Sequence, residues 1–316
     1  MQTPEPPADD GKPVQGSPVS ANWWSDPVVW GFVLLAGAGI VVSSIESGGW
    51  PSNLVFVSGV LVSVVLVLLL SRKRAPPHLD IARSAFEYRP MLAYYLAFMV
   101  LATLTKGEGI LANEFAKWVW FVVLPILLLF LLRGRLRGLA GLLQSIGLRR
   151  QGLGKALLLG LLGYAAFVPA LPFLLPATQL DRLKELLERP IQFALLLPAS
   201  FLLSLVTAAT TEETFFRGIL QSRLSRFVGS ELRSCLVTAF LFGIYHLPYA
   251  YFSSSWPTHG NLVWAVSSVL AEQMMMGLVL GVLWLRTHNI AAPVLLHALV
   301  DTIAIMTMLK FGGGPA

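Results

Sequence analysis

Apolar residues run in long blocks along this chain, and polar residues gather in the short joints between them. Nine blocks stand out, at residues 26–45, 52–71, 91–105, 116–132, 154–175, 193–216, 234–250, 263–285 and 290–309. Several exceed the roughly 18 apolar residues that cross a bilayer as a helix. The third is short and the fifth carries Pro169 and Pro172, so the pattern predicts eight or nine spans. The expected fold class is all-α, a polytopic transmembrane helical bundle. No internal repeat is visible. Between the fifth and sixth blocks, "DRLKELLERP" at 181–190 has the pattern of a short amphipathic helix lying at the membrane surface.

The joints carry the positive charge, notably "SRKR" at 71–74, "RGRLR" at 133–137 and "RR" at 149–150, with further basic residues in 223–233 and at Arg286. Lys and Arg mark the cytoplasmic ends of spans, which places the N-terminus inside and, with an odd number of spans, the C-terminus outside. The joint at 181–189 is mixed in charge and fits this orientation less well. Residues 1–22 are rich in Pro, Gly, Asp and Ser and lack a basic start or an apolar core, so they read as a disordered tail, not a cleavable signal. Residues 310–316, ending in "FGGGPA", read as a second tail. Between the tails the expected units are N-terminal helices at 23–150, a connecting span with an interfacial helix at 151–192, and a catalytic unit at 193–309.

Composition agrees with the blocks: 316 residues are 55% hydrophobic and only 13% charged, which excludes a soluble protein. The chain belongs in a membrane, the plasma membrane in a bacterium, with the lipid bilayer as its first partner. The formal charge of +6 sits in the joints, so nucleic acid is not an expected partner. The single cysteine, Cys235, allows no internal disulfide and no cysteine-rich metal site, and reads as a buried apolar residue.

Against that background, ionisable residues inside the last blocks call for a function, because a charge at membrane depth is costly. "TTEETFFRGI" at 210–219 holds Glu212, Glu213 and Arg217. Glu213 and Arg217 are four apart and share a helix face, while Glu212 is rotated by about 100 degrees from its neighbour. One acid can thus neutralise the arginine and leave the other for chemistry. "FGIYH" places Phe242 four residues before His246, and "HALVD" places His297 four residues before Asp301. At about 1.5 Å per residue from the basic ends, Glu212 and His246 lie roughly 21 and 22 Å deep, and His297 and Asp301 roughly 12 and 18 Å. Three helices thereby bring polar groups to one layer.

The residue types allow two chemistries. A carboxylate and a histidine in a water-poor cavity can take a proton from water, while a second histidine and a polar neighbour stabilise an oxyanion. Alternatively, Glu212, His246 and His297 can hold zinc with one position open. The H-E-x-x-H zinc helix is absent. Ser204 and Cys235 show no matched partner for nucleophilic catalysis. His78, His259 and His288 fall in joints and read as solvated.

Together "EETFFR", "FGIYH" and "HALVD" resemble the ordered motifs of the CPBP family of intramembrane proteases, which includes type II CAAX prenyl endopeptidases and bacterial lysostaphin-resistance and bacteriocin-processing types. "LRTHNIAAPVLLHALVD" also resembles the family's run into its last motif, and the likeness covers about residues 193–307. The resemblance implies a membrane-embedded catalytic cavity and cleavage of a peptide bond in a membrane-associated, prenylated or leader-type substrate. It implies Glu212 as general base with His246, and His297 and Asp301 as support for the oxyanion. Glu213 and Arg217 would hold helices together, and Phe242 would pack the cavity wall. It leaves zinc open as a cofactor. An ionised Asp301 cannot donate to an oxyanion, so its favoured role is to orient His297. Two other functions compete: a non-proteolytic relative serving as a scaffold or immunity protein, and a transporter passing protons through Glu212, Glu272 and Asp301.

Overall fold

A run of Leu, Val and Ala gives the backbone no partner in lipid, so each run must satisfy its own N–H and C=O groups as a helix. The computed structural model describes residues 25–71, 81–107, 114–133, 139–170 and 177–309, and every regular element among them is helical. In chain order these are α1 (Pro27–Ser47), α2 (Trp50–Leu70), α3 (Ile81–Leu104), α4 (Glu114–Leu132), α5 (Leu139–Ser145), α6 (Leu153–Phe167), α7 (Ala177–Leu187), α8 (Pro190–Phe227), α9 (Glu231–Phe252), α10 (Leu262–Thr287) and α11 (Ala291–Met308). Seven of them, α1, α2, α4, α8, α9, α10 and α11, are long and apolar enough to cross a membrane, and α6 is a shorter apolar helix. The chain is an integral, multi-pass membrane protein.

The elements depart from the expected spans where polar residues lie inside helices. The third apolar block, expected as a span at 91–105, lies in α3, which begins at Ile81 because Arg83, Glu87 and Arg89 belong to the helix and not to the joint before it. Pro90 lies inside this helix. The fifth, expected at 154–175, is helical from Leu153 and tightens to a 3-10 turn at Val168–Ala170. The amphipathic segment expected at 181–190 is α7, shifted toward the N-terminus. The two expected tails, at 1–22 and 310–316, lie outside the described residues.

Close helix pairing follows from small residues at the contacts. Gly277 and Gly281 on α10 stand four apart and face α9. A Cβ on Gly277 would meet the Ala239 backbone at 2.9 Å, and one on Gly243 would meet the Met274 Cβ at 2.9 Å. Such small-residue seams let backbones approach and are a general device of membrane helix packing. Met274, Met275 and Met276 are buried along the same helix.

The two ends of the bundle are fixed by polar contacts. At one end Asp26, the N-cap of α1, accepts from Arg233 at 2.7 Å. Nearby, the Arg223 guanidinium donates to Glu87 at 3.2 Å and to Ser145 at 2.9 Å, all three being buried. The same end joins Gly147 to Ile290 through a backbone hydrogen bond of 3.1 Å, and Arg149 to the His288 carbonyl at 2.8 Å. At the other end Asn261 caps α10 and its amide donates to Glu46 at 2.9 Å.

Candidate active site

Four π-helical stretches adjust the helices that carry the polar residues: Leu205–Ala209 and Thr214–Gln221 on α8, on either side of the glutamates, Val269–Gln273 on α10, and Val119–Val123 on α4. A π turn inserts one residue into the helical ladder and frees a carbonyl, and such turns often occur at functional sites. Here the Val206 carbonyl accepts from the Trp118 indole at 3.0 Å, which ties α4 to α8. On α9 the helix breaks at His246, before Pro248, and the His246 N–H tightens onto the Gly243 carbonyl at 3.0 Å. Pro248 supplies no N–H, which explains the break.

Glu212, His246 and His297 converge from α8, α9 and α11. The Glu212 Oε2 atom lies 4.0 Å from His246 Nε2 and 3.9 Å from His297 Nε2. Its other oxygen, Oε1, accepts from the Tyr245 hydroxyl at 3.2 Å, whereas Oε2 is buried with no hydrogen-bond partner. His246 Nδ1 lies 2.8 Å from the Phe242 carbonyl. A carbonyl only accepts, so Nδ1 carries the proton and Nε2 presents its lone pair toward Glu212.

Glu213 points elsewhere, to a fully buried assembly. Its Oε1 accepts from Arg217 at 2.9 Å and lies 2.8 Å from His297 Nδ1. The Arg217 guanidinium also donates to the Gly277 carbonyl at 3.1 Å and stacks 4.4 Å from the centre of the Phe242 ring. Phe242 in turn meets His246 and His297 edge-on, at centroid distances of 4.9 and 6.0 Å. The pair is thus not isolated: one carboxylate links α8, the α10 backbone and the imidazole of α11.

Asp301 is a third exposed and lies 3.4 Å from His297 Nε2, on the nitrogen that faces the cavity. The nitrogen on the far side lies 2.8 Å from Glu213 Oε1, so the ring has a carboxylate neighbour at each nitrogen, the shorter contact being to Glu213. Ser204, which has no evident partner in the sequence, donates to Asp301 at 3.4 Å. Cys235 is buried, its thiol 3.9 Å from the Leu278 carbonyl. His288 is buried rather than solvated, in a left-handed turn with φ of 45°. His259 is exposed, and His78 lies outside the described residues.

A cavity of about 350 Å³ holds Glu212, Tyr245, His246, His297 and Asp301 on its wall, together with Glu114 and Lys117 of α4 and Trp256 from the α9–α10 connection. A second cavity, of about 180 Å³, shares Gln273, His297 and Asp301 with the first and contains Glu272 and Asn53. Sequence reasoning missed Tyr245 and Lys117. Both left a signal: a hydroxyl directly before His246 in an apolar helix, and a lysine inside the block at 116–132.

Zinc can be tested against the donors. Ligands about 2.0–2.1 Å from a tetrahedral ion lie roughly 3.3 Å from each other. The Glu212 to histidine distances of 4.0 and 3.9 Å are wider. Among the described residues no group of three or more His, Cys, Asp or Glu side chains is placed to hold an ion. As arranged, Glu212, His246 and His297 do not have the spacing of a tetrahedral zinc site.

Compared with known proteins, residues 194–303 match the family model described as Rce1-like, Type II CAAX prenyl endopeptidase Rce1-like. The match takes in α8 nearly from its start, all of α9 and α10, and most of α11. No curated protein and no solved structure matches the chain.

Proposed function

From its membership of the CPBP intramembrane proteases, Rce1-like over residues 194–303, we propose that this chain hydrolyses a peptide bond with a water activated by Glu212 and His246. The observation that carries the reading is the convergence of the free Glu212 oxygen and the two imidazole Nε2 atoms, at 4.0 and 3.9 Å, on the wall of one cavity. A water bound at the cavity side of this gap gives a proton to Glu212 Oε2 while His246 Nε2 accepts its second hydrogen bond. The hydroxide adds to the scissile carbonyl. The developing oxyanion takes a hydrogen bond from protonated His297 Nε2, with the ring held by Glu213 at Nδ1. The proton on Glu212 then passes to the departing amine, leaving a new carboxyl group and a new N-terminus. Tyr245 keeps Glu212 pointed at the cavity, and Asp301 lies 3.4 Å from the same His297 nitrogen. The substrate is a membrane-associated peptide segment.

Glu212→Gln keeps the shape and removes the base. It is expected to abolish cleavage, a loss of at least about 10²-fold, while the variant accumulates in membranes with unchanged melting. Full cleavage by a folded Glu212→Gln protein refutes the proposal. Because the donors do not fit an ion, cleavage is also expected to persist after dialysis against a strong chelator. Loss on chelation, with recovery on adding zinc, would overturn the metal-free route.

A further inference from the structure

We infer that the catalytic cavity opens at the non-cytoplasmic face of the membrane, so that the peptide segment it cleaves is presented from that side. The inference deepens the protease reading, on which the word substrate rests, but the direction of the opening stands on its own observations.

The first is the distribution of Lys and Arg between the two ends of the bundle. The end held together by Asp26–Arg233, Glu87–Arg223 and Arg149–His288 also carries Arg150, Arg226 and Arg286. Helices α2 and α4 run toward this end, and "SRKR" and "RGRLR" follow them in the chain. The opposite end, marked by the Asn261–Glu46 contact, has fewer basic residues: Lys106, Lys117 beside Glu114, and Arg182, Lys184 and Arg189 around α7. Leu186 of α7 packs with Leu196 and Met306, which fixes α7 at that end. Positive residues concentrate in cytoplasmic joints, so the first end is cytoplasmic.

The second observation is the position of the cavity. Glu114, at the start of α4, lies on its wall, as does Trp256 in the connection between α9 and α10. Both belong to the sparsely basic end. Among the described residues, none from the basic joints lines it. On the cytoplasmic side of the glutamates, Phe216, Ile219, Leu220 and Leu224 are buried and none of them lines the cavity. Depth agrees. At about 1.5 Å per residue, His246 is roughly 22 Å from the basic end of α9 and roughly 9 Å from its other end, and Asp301 is roughly 10 Å from the end of α11 at Met308. The substrate class that fits is an exported or membrane-spanning protein whose scissile segment emerges on the outer side, close to the lipid.

The chain makes this testable, since its one cysteine is buried. Ser254→Cys, in the exposed connection beside Trp256, and Gln151→Cys, in the exposed joint before α6, place single accessible thiols at opposite ends. Intact cells expressing the full chain are treated with a membrane-impermeant maleimide, with the unsubstituted chain as control. The Ser254→Cys protein should label in intact cells to the level reached after permeabilisation, and the Gln151→Cys protein only after permeabilisation. The reverse pattern, or equal labelling of both in intact cells, overturns the inference. Labelling needs no activity, so a failed orientation is distinguishable from a failed protease assignment. In sealed right-side-out vesicles, cleavage of an externally supplied peptide, lost in Glu212→Gln, would then join the two.

Discussion

Glu213 acts through one oxygen on two partners, Arg217 at 2.9 Å and His297 at 2.8 Å, with both members of the ion pair fully buried. Removing the charge leaves a buried guanidinium without its counter-ion, which typically costs about 3–5 kcal/mol. Glu213→Gln is therefore expected to lower thermal stability and membrane accumulation, measured in detergent or native membranes. Glu212→Gln should not, which separates the two neighbouring acids. Tyr245 is the finer test. A hydrogen bond to a charged group contributes about 1.5–3 kcal/mol, so Tyr245→Phe should slow turnover by about 10- to 100-fold with little change in KM, and should lower melting because a buried Glu212 oxygen is left unpaired. The motif residues were legible because i, i+4 spacing survives in any helix. The sharing of Glu213 with His297 was not, because it joins residues 84 apart in the chain. No local pattern records such a pairing, and Asp301 one turn along from His297 offered the simpler partner.

At the scale of elements, the α9–α10 seam positions the site. Gly277 allows the helices to touch and its carbonyl anchors Arg217. Gly277→Val should force the helices apart, at about 1–3 kcal/mol or more, and disturb the Arg217–Glu213 pair. Reduced melting with a parallel loss of cleavage is the expected outcome, and wild-type melting would show that the contact is not tight. Helix existence was readable from hydrophobic runs alone, since lipid leaves the backbone no other choice. The start of α3 was not, because Arg83, Glu87 and Arg89 resemble a joint until Arg223 is seen buried against Glu87. The π turns on α8 were also invisible, and so was the hydrogen bond that Trp118 of another helix donates to the Val206 carbonyl within one of them.

For the whole molecule, the asymmetry between the ends has a consequence for pH. The hydrogen bond from Arg233 holds the Asp26 carboxyl below the usual carboxylate range, with the Val28 N–H adding to the effect against slight desolvation. A carboxyl whose folded pKa is depressed contributes stability above its unfolded pKa and loses it as pH falls through the folded value. The docking of α1 on α9 should therefore weaken below about pH 4, the ordinary range for Asp. Asp26→Asn, which also alters the cap of α1, should show a smaller change in melting between pH 6 and pH 3 than the unsubstituted protein. An identical pH response in both would remove Asp26 from the account. The overall class followed from composition and hydropathy. Which residues faced one another across the cavity required coordinates.

Helix α8 has 38 residues, about 57 Å of rod at 1.5 Å per residue against a hydrocarbon layer near 30 Å. It must lean steeply or stand proud of the lipid, and its inclination answers to the thickness of the surrounding sheet. Glu212 rides on this rod, while the histidines ride on α9 and α11. Acyl-chain length therefore becomes a dial on the carboxylate–imidazole gap, and turnover in reconstituted bilayers should peak at one lipid length and fall on either side.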